Sequence, residues 1–177
     1  RGQKFNGGWD TYTPPTPNQP GITVFDDYPL AELLEIMDWT PFFQAWELAG
    51  KYPAILSDVV VGKQATELFA DAQAMLKKIV DEKWLTAKAV FGLWPANSIG
   101  DDVVINVGAT TRTLHFLRQQ VDKPVERPDF CLADFIAPKD SGKQDWIGAF
   151  AVTAGIGIDE HIARFEADHD DYNSILL

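Results

Sequence analysis

The sequence is short of cysteine, of positive charge and of histidine. Cys131 is the one cysteine in 177 residues. That excludes an internal disulfide and suits a reducing compartment, so a cytoplasmic location is expected. Lys and Arg total 15 against 26 Asp and Glu, for a formal net charge of −11. Nucleic-acid binding depends on clustered cations that neutralise phosphates, so no nucleic-acid partner is expected. Adhesion to an anionic membrane surface is disfavoured for the same reason. No apolar run approaches the roughly 20 residues of a membrane-spanning helix. His115, His161 and His169 are the only histidines. The last two lie about two helical turns apart, which is not the i, i+4 pairing of a helical zinc site. No metal ligand is assigned. The pairs Asp26-Asp27, Asp101-Asp102 and Asp170-Asp171 read as solvated turn and helix-end residues, with no calcium-loop pattern around them. No serine sits in a nucleophile elbow. Cys131 lies in "DFCLADF" without a basic neighbour and reads as a buried, inert thiol, so no catalytic residue is assigned.

What is abundant is apolar surface. Hydrophobic residues make up 46% of the chain and aromatic residues 12%, with six Trp, which is enough for the core of one domain. The chain opens "RGQKF" with no apolar signal core and stops at "NSILL" inside an apolar-periodic segment. It is therefore expected to be a piece of a longer polypeptide. Residues 1–20 are rich in Gly and Pro and read as an extended arm in which Trp9 and Tyr12 dock. No domain boundary is apparent after residue 20.

Leu30, Leu33, Leu34 and Met37 form a helical stripe that predicts a first helix over Pro29–Met37. Thr40 as N-cap, Pro41 at the first position and Gly50 as stop frame a second helix. A third is predicted over Gly62–Lys83, with Ala65, Leu68, Phe69, Ala72, Leu76, Ile79 and Val80 on its apolar face. The period then changes. Residues 87–94, 102–107, 111–118 and 145–153 read as strands, with "PANSIGD" as a loop between the first two. Gly148 suggests a close backbone approach or a bulge. "TAGIG" (153–157) reads as a tight turn, because Asp159 and Glu160 at the following helix start would repel a phosphate. Residues 159–177 read as one final helix. Helices, then strands, then a helix predict an α+β fold with a central antiparallel sheet.

Asp38 is the acid that draws attention. Trp39, Phe42, Phe43, Trp46 and Tyr52 crowd its sequence neighbourhood, and a carboxylate buried among rings needs a partner. It follows one helix end and precedes the next helix start, where the dipole favours negative charge. Two readings stand. It is a local cap or a partner of Lys51, Arg112 or Arg118, or it is held at an aromatic pocket to bind a cationic ligand.

The blocks "WDTYTPP" (9–15), "DWTPFFQAWELAGKYP" (38–53), "GLWPANSIGDD" (92–102), "HFLRQQ" (115–120), "CLADFIAPKDSGK" (131–143), "DWIGAFAVTAG" (145–155) and "HDDYN" (169–173) resemble the activation domain of cobalamin-dependent methionine synthase. The resemblance implies a partial activation domain over residues 21–177. It implies a C-shaped fold around a twisted antiparallel sheet. It also implies an S-adenosylmethionine-binding module of a methyltransferase. Such a module supports reductive methylation of cob(II)alamin to methylcobalamin, with an electron from a flavodoxin-type donor. Cobalamin is then held by another domain of the same polypeptide, and this chain alone is not expected to turn over.

The family's S-adenosylmethionine site includes the acid of the "DWTPFF" block, so the resemblance assigns Asp38 to that ligand. A charge-assisted hydrogen bond to the α-ammonium is the expected contact, with the sulfonium near Trp39 or Trp46. The family's R-x-x-x-G-Y binding element is absent from these 177 residues and is expected downstream of "HDDYN". That leaves an alternative, an interaction module that docks on a cobalamin domain or a flavodoxin without binding S-adenosylmethionine. Flavodoxins are acidic, so docking on a chain this negative requires local positive points. Lys51, after Gly50, is a candidate contact.

Overall fold

The computed structural model describes residues 5, 7–124 and 127–177. Its elements run β1 (Gly21–Tyr28), α1 (Leu30–Leu34), α2 (Thr40–Ala45), α3 (Gly62–Asp81), β2 (Thr86–Ile99), β3 (Asp102–Val107), β4 (Thr110–His115), β5 (Asp145–Ile156), α4 (Ile158–Ala167) and α5 (Asp171–Leu176), with short 3-10 turns between. The five strands form one sheet in the order β1-β2-β3-β4, with β5 also paired to β2. This is the expected α+β architecture of N-terminal helices, antiparallel sheet and C-terminal helices. The chain divides into two compact units, Arg1–Val24 with Val90–Ala151 and Phe25–Ala89 with Val152–Leu177.

The helical unit is organised by α3. Gly62, Ala65, Leu68, Ala72, Met75 and Ile79 are its buried residues, the i, i+3, i+4 repeat of one apolar face. Leu76 and Val80, expected on that face, are only half-buried. Met75 takes the position the stripe left open, because the helix packs on its 62–65–68–72–75–79 line. Ala65 and Leu68 join Phe43, Leu48 and Ile55 in a core cluster. The first helix is shorter than predicted and ends at Leu34. The N–H groups of Ile36 and Met37 close tight turns onto Leu33 and Leu34. The second helix ends at Ala45, and the left-handed residue after it is Glu47, at φ 59. Gly50 instead serves a close approach, since a Cβ there would meet Ile55 at 2.8 Å. The final helix breaks in two at His169, whose φ is 57. Asp170 then caps the second piece by accepting from Asn173 N–H.

The other unit carries the regular part of the sheet. β2 and β3 pair antiparallel with Ala96 opposite Ile105 and Ile99 opposite Asp102. β3 and β4 pair with Asp102 opposite His115 and Val107 opposite Thr110. Ala96, Val103, Ile105, Cys131 and Ala133 form the core cluster here. "PANSI" is not a loop. It continues β2 to Ile99, and the turn is made by Gly100, at φ 65. Pro95 is tolerated in this strand although it cannot donate to a ladder. β1 has little signal in the sequence, because Asp26 and Asp27 end the short "ITVF" alternation before it builds a convincing period. At Gly148 a Cβ would lie 2.9 Å from Leu93, so the glycine does mark a close approach.

Candidate functional site

Asp38 sits between α1 and α2, and its surroundings differ from the crowded pocket its neighbours suggested. The rings pack against one another and leave the acid outside. Trp39 meets Phe69 edge-on at 4.6 Å and Phe42 at 5.4 Å. Phe43 is fully buried and lies parallel to Tyr52 at 6.4 Å. The Asp38 residue is exposed, so no desolvation penalty has to be met. Trp39 and Thr40 turn the chain into the helix, and Pro41 occupies the first turn where a missing N–H costs nothing. Asp38 Oδ1 accepts from Thr40 N–H at 2.9 Å. Asp38, one residue before the N-cap Trp39, therefore satisfies one N–H at the start of α2. The predicted cap, Thr40, instead accepts from Tyr52 N–H at 3.3 Å through its hydroxyl.

Among the described residues Asp38 makes no ion pair with Lys51, Arg112 or Arg118, and Oδ2 has no partner. Chemically this is an acid on an exposed residue with one oxygen fixed by a helix start. Such a carboxylate can accept from an ammonium at low desolvation cost. Trp39 follows it directly in the chain. Lys51 is exposed, and its carbonyl accepts from Ile55 N–H at 2.9 Å, tying its backbone to the next 3-10 turn.

Arg118, weighed as a partner for Asp38, is committed elsewhere. Its Nη1 and Nη2 lie 2.6 and 2.7 Å from the two carboxylate oxygens of Asp134. Nη2 also lies 2.6 Å from Asp101 Oδ1, and Nη1 donates to the Asp129 carbonyl at 2.5 Å. Its hydrogen bonds to Asp134 and then to Asp101 raise the arginine pKa further above its already high value. Asp134 in turn accepts from Cys131 N–H at 3.0 Å, and the Cys131 thiol reaches the Asp101 carbonyl at 3.5 Å. Cys131 is buried, as its apolar neighbours implied. This network was invisible in the sequence, because its members are far apart and only the Cys131-to-Asp134 spacing hints at a local cap.

The histidines occupy separate settings. His161 lies flat on Trp84 at 4.3 Å, with Arg164 at 5.6 Å from the same ring, whereas His115 Nδ1 lies 3.0 Å from Asp102. Among the described residues no group of three His, Cys, Asp or Glu is placed to hold a metal ion. No helix there is long and apolar enough to cross a membrane.

Comparison with known proteins adds what geometry alone does not. Residues 29–177 match the family model described as vitamin B12 dependent methionine synthase, activation domain. The chain belongs to this family. It is also similar to a solved structure, the crystal structure of the MetH reactivation domain bound to AdoHcy, with 47% sequence identity and a TM-score of 0.88. That match covers 98% of this chain and 54% of the solved one, so the chain spans about half the length of this activation-domain relative.

Proposed function

We propose that this chain is part of the S-adenosylmethionine-binding reactivation module of a cobalamin-dependent methionine synthase. In this reading it supports reductive methylation of cob(II)alamin to methylcobalamin, with an electron from a flavodoxin-type donor, in the cytoplasm. The observation that carries the reading is the 47% identical relative, bound to AdoHcy and aligned over 98% of this chain. AdoHcy is what S-adenosylmethionine becomes when its methyl group leaves, so a fold that holds one suits a site for the other.

The residues present fit the ligand in one respect that can be tested. Among the described residues Asp38 offers an oxygen without a protein partner, as an α-ammonium requires, while Thr40 N–H fixes the other oxygen. Bound S-adenosylmethionine would supply a methyl group on a sulfonium. The part of this chain is to recognise and orient that cation, with Asp38 as the charge-assisted acceptor. No residue is assigned to cobalamin, which belongs to another domain in this reading.

A second reading is an interaction module that docks without the ligand. Titration calorimetry with S-adenosylmethionine separates the two. It should be run on this chain and on a version extended to the relative's length. Binding by the extended protein, weakened at least tenfold by Asp38→Asn with unchanged thermal stability, supports the first. An extended protein that binds no ligand overturns the whole module. One that binds it equally well with and without the Asp38→Asn substitution overturns the role of Asp38.

A further inference from the structure

Lys143 follows the last 3-10 turn before β5, and its ammonium meets three backbone carbonyls from the opposite end of the chain. Lys143 Nζ donates to the carbonyls of Trp9, Asp10, at 3.4 Å, and Tyr12, at 2.6 Å. An ammonium has three donors and no acceptor, and here all of them serve one short segment of the arm. That segment is already folded for the purpose. The N–H groups of Thr11 and Tyr12 both donate to the Gly8 carbonyl, at 3.1 and 3.2 Å. Gly8 takes φ 68, a conformation that favours glycine. The turn leaves the Trp9, Asp10 and Tyr12 carbonyls without helix or strand partners, and Lys143 gathers them.

Of the gathered segment, Trp9 lines a cavity of about 650 Å3, and Gly7 shortly before it lines the same cavity. Ser98 near the end of β2, Gly100 in the β2–β3 turn, and Pro138 and Lys139 from the loop before β5 also line it. A Cβ on Gly7 would lie 2.7 Å from the Trp9 indole, so the ring folds back over this glycine. All these residues belong to one compact unit.

We propose that residues 7–12 are a strap across this cavity and that the single ammonium of Lys143 is its latch. The remaining segments that line the cavity are held independently of the strap. Ser98 N–H donates to the Ala137 carbonyl at 3.0 Å and Ser98 Oγ to the Ile136 carbonyl at 2.9 Å. Asn97 ties the same loop through the Ala137 and Lys143 carbonyls. Losing the latch charge therefore frees the strap while the rest of the cavity stays formed.

Hydrogen exchange read by mass spectrometry tests this in the intact protein. Lys143→Met should speed exchange of the Thr11 and Tyr12 amides at least tenfold and leave the α3 amides unchanged. Lys143→Arg, which keeps the charge, should fall between. Equal exchange of the arm in wild type and Lys143→Met overturns the latch. If Lys143→Met does not fold, a chain starting at Thr13 puts the same question to a Ser98→Cys reporter in the buried cavity wall. A folded product whose introduced thiol reacts with a small maleimide at least tenfold faster than in the full chain supports a strap. Loss of the fold, or an unchanged rate, shows that the arm is not one.

Discussion

Arg118 and Asp134 form a bidentate pair at 2.6 and 2.7 Å, with the Asp134 side chain wholly removed from water. A carboxylate so placed is stabilised only while its partner is present. Arg118→Met should destabilise the protein by about 3–5 kcal/mol, the usual result of leaving a buried charge unpaired. The Cys131 N–H would then face an acid with no cation, and Asp101 would lose its contact with Arg118. A double variant, Arg118→Met with Asp134→Leu, should regain most of the loss, because the desolvated charge has gone as well. Urea denaturation of the three proteins checks both statements.

Tyr172 donates to Asp71 Oδ2 at 2.7 Å, and this hydrogen bond to a carboxylate, then burial, pushes its pKa from 10.0 up to about 12. The folded value lies above the unfolded one. The contribution to stability is therefore complete below pH 10 and is lost as pH rises through about 12. Glu32 raises Tyr28 in the same way, first through a hydrogen bond and then through its charge. Alkaline titration followed by the ultraviolet absorbance of phenolate should show late-ionising phenols, and Asp71→Asn should move one of them back toward the ordinary range. An Asp71→Asn profile that overlays the wild type would remove the Tyr172 assignment.

Gly157 links β5 to α4 at φ 103, and a Cβ there would stand 2.8 Å from the Trp84 carbonyl oxygen. Strain and collision act together, and the atom in the way is backbone. Gly157→Ala should cost about 1–3 kcal/mol or more. Gly148→Ala should cost less, because the atom it meets, at 2.9 Å, is the end of the Leu93 side chain. Thermal melts of the two variants should rank in that order.

The contrast between these sites shows what was legible in the sequence. Long α3 announced itself through its repeat, but "TAGIG" is not the tight turn its following acids suggested, since residues 153–156 continue β5 and only Gly157 makes the turn. Short elements were not readable. α1 and α2 have 5 and 6 residues, too few for a period to outweigh local capping. The break at His169 depends on a left-handed backbone that no pattern in "ADHDDYN" enforces. The setting of Asp38 was hidden for a related reason. Adjacent rings in sequence do not enclose their neighbour, since helix geometry turns Trp39, Phe42 and Phe43 inward while Asp38 stays at the surface. The Arg118 network was unreadable because its parts meet only after β3, β4 and the following loop are in place.

Lys51 is the remaining expectation that mutation can decide. It is exposed, in the segment after α2, on a chain whose net charge is −11. An acidic electron donor approaching such a surface is repelled at long range, and isolated cations decide where it settles. Lys51→Glu changes the local charge by two units without touching a buried group, so folding should be unaffected. In the full methionine synthase, flavodoxin-dependent reactivation should slow several-fold at low ionic strength, and the deficit should shrink as added salt screens the contact. A reactivation rate unchanged at low salt would show that the donor docks elsewhere.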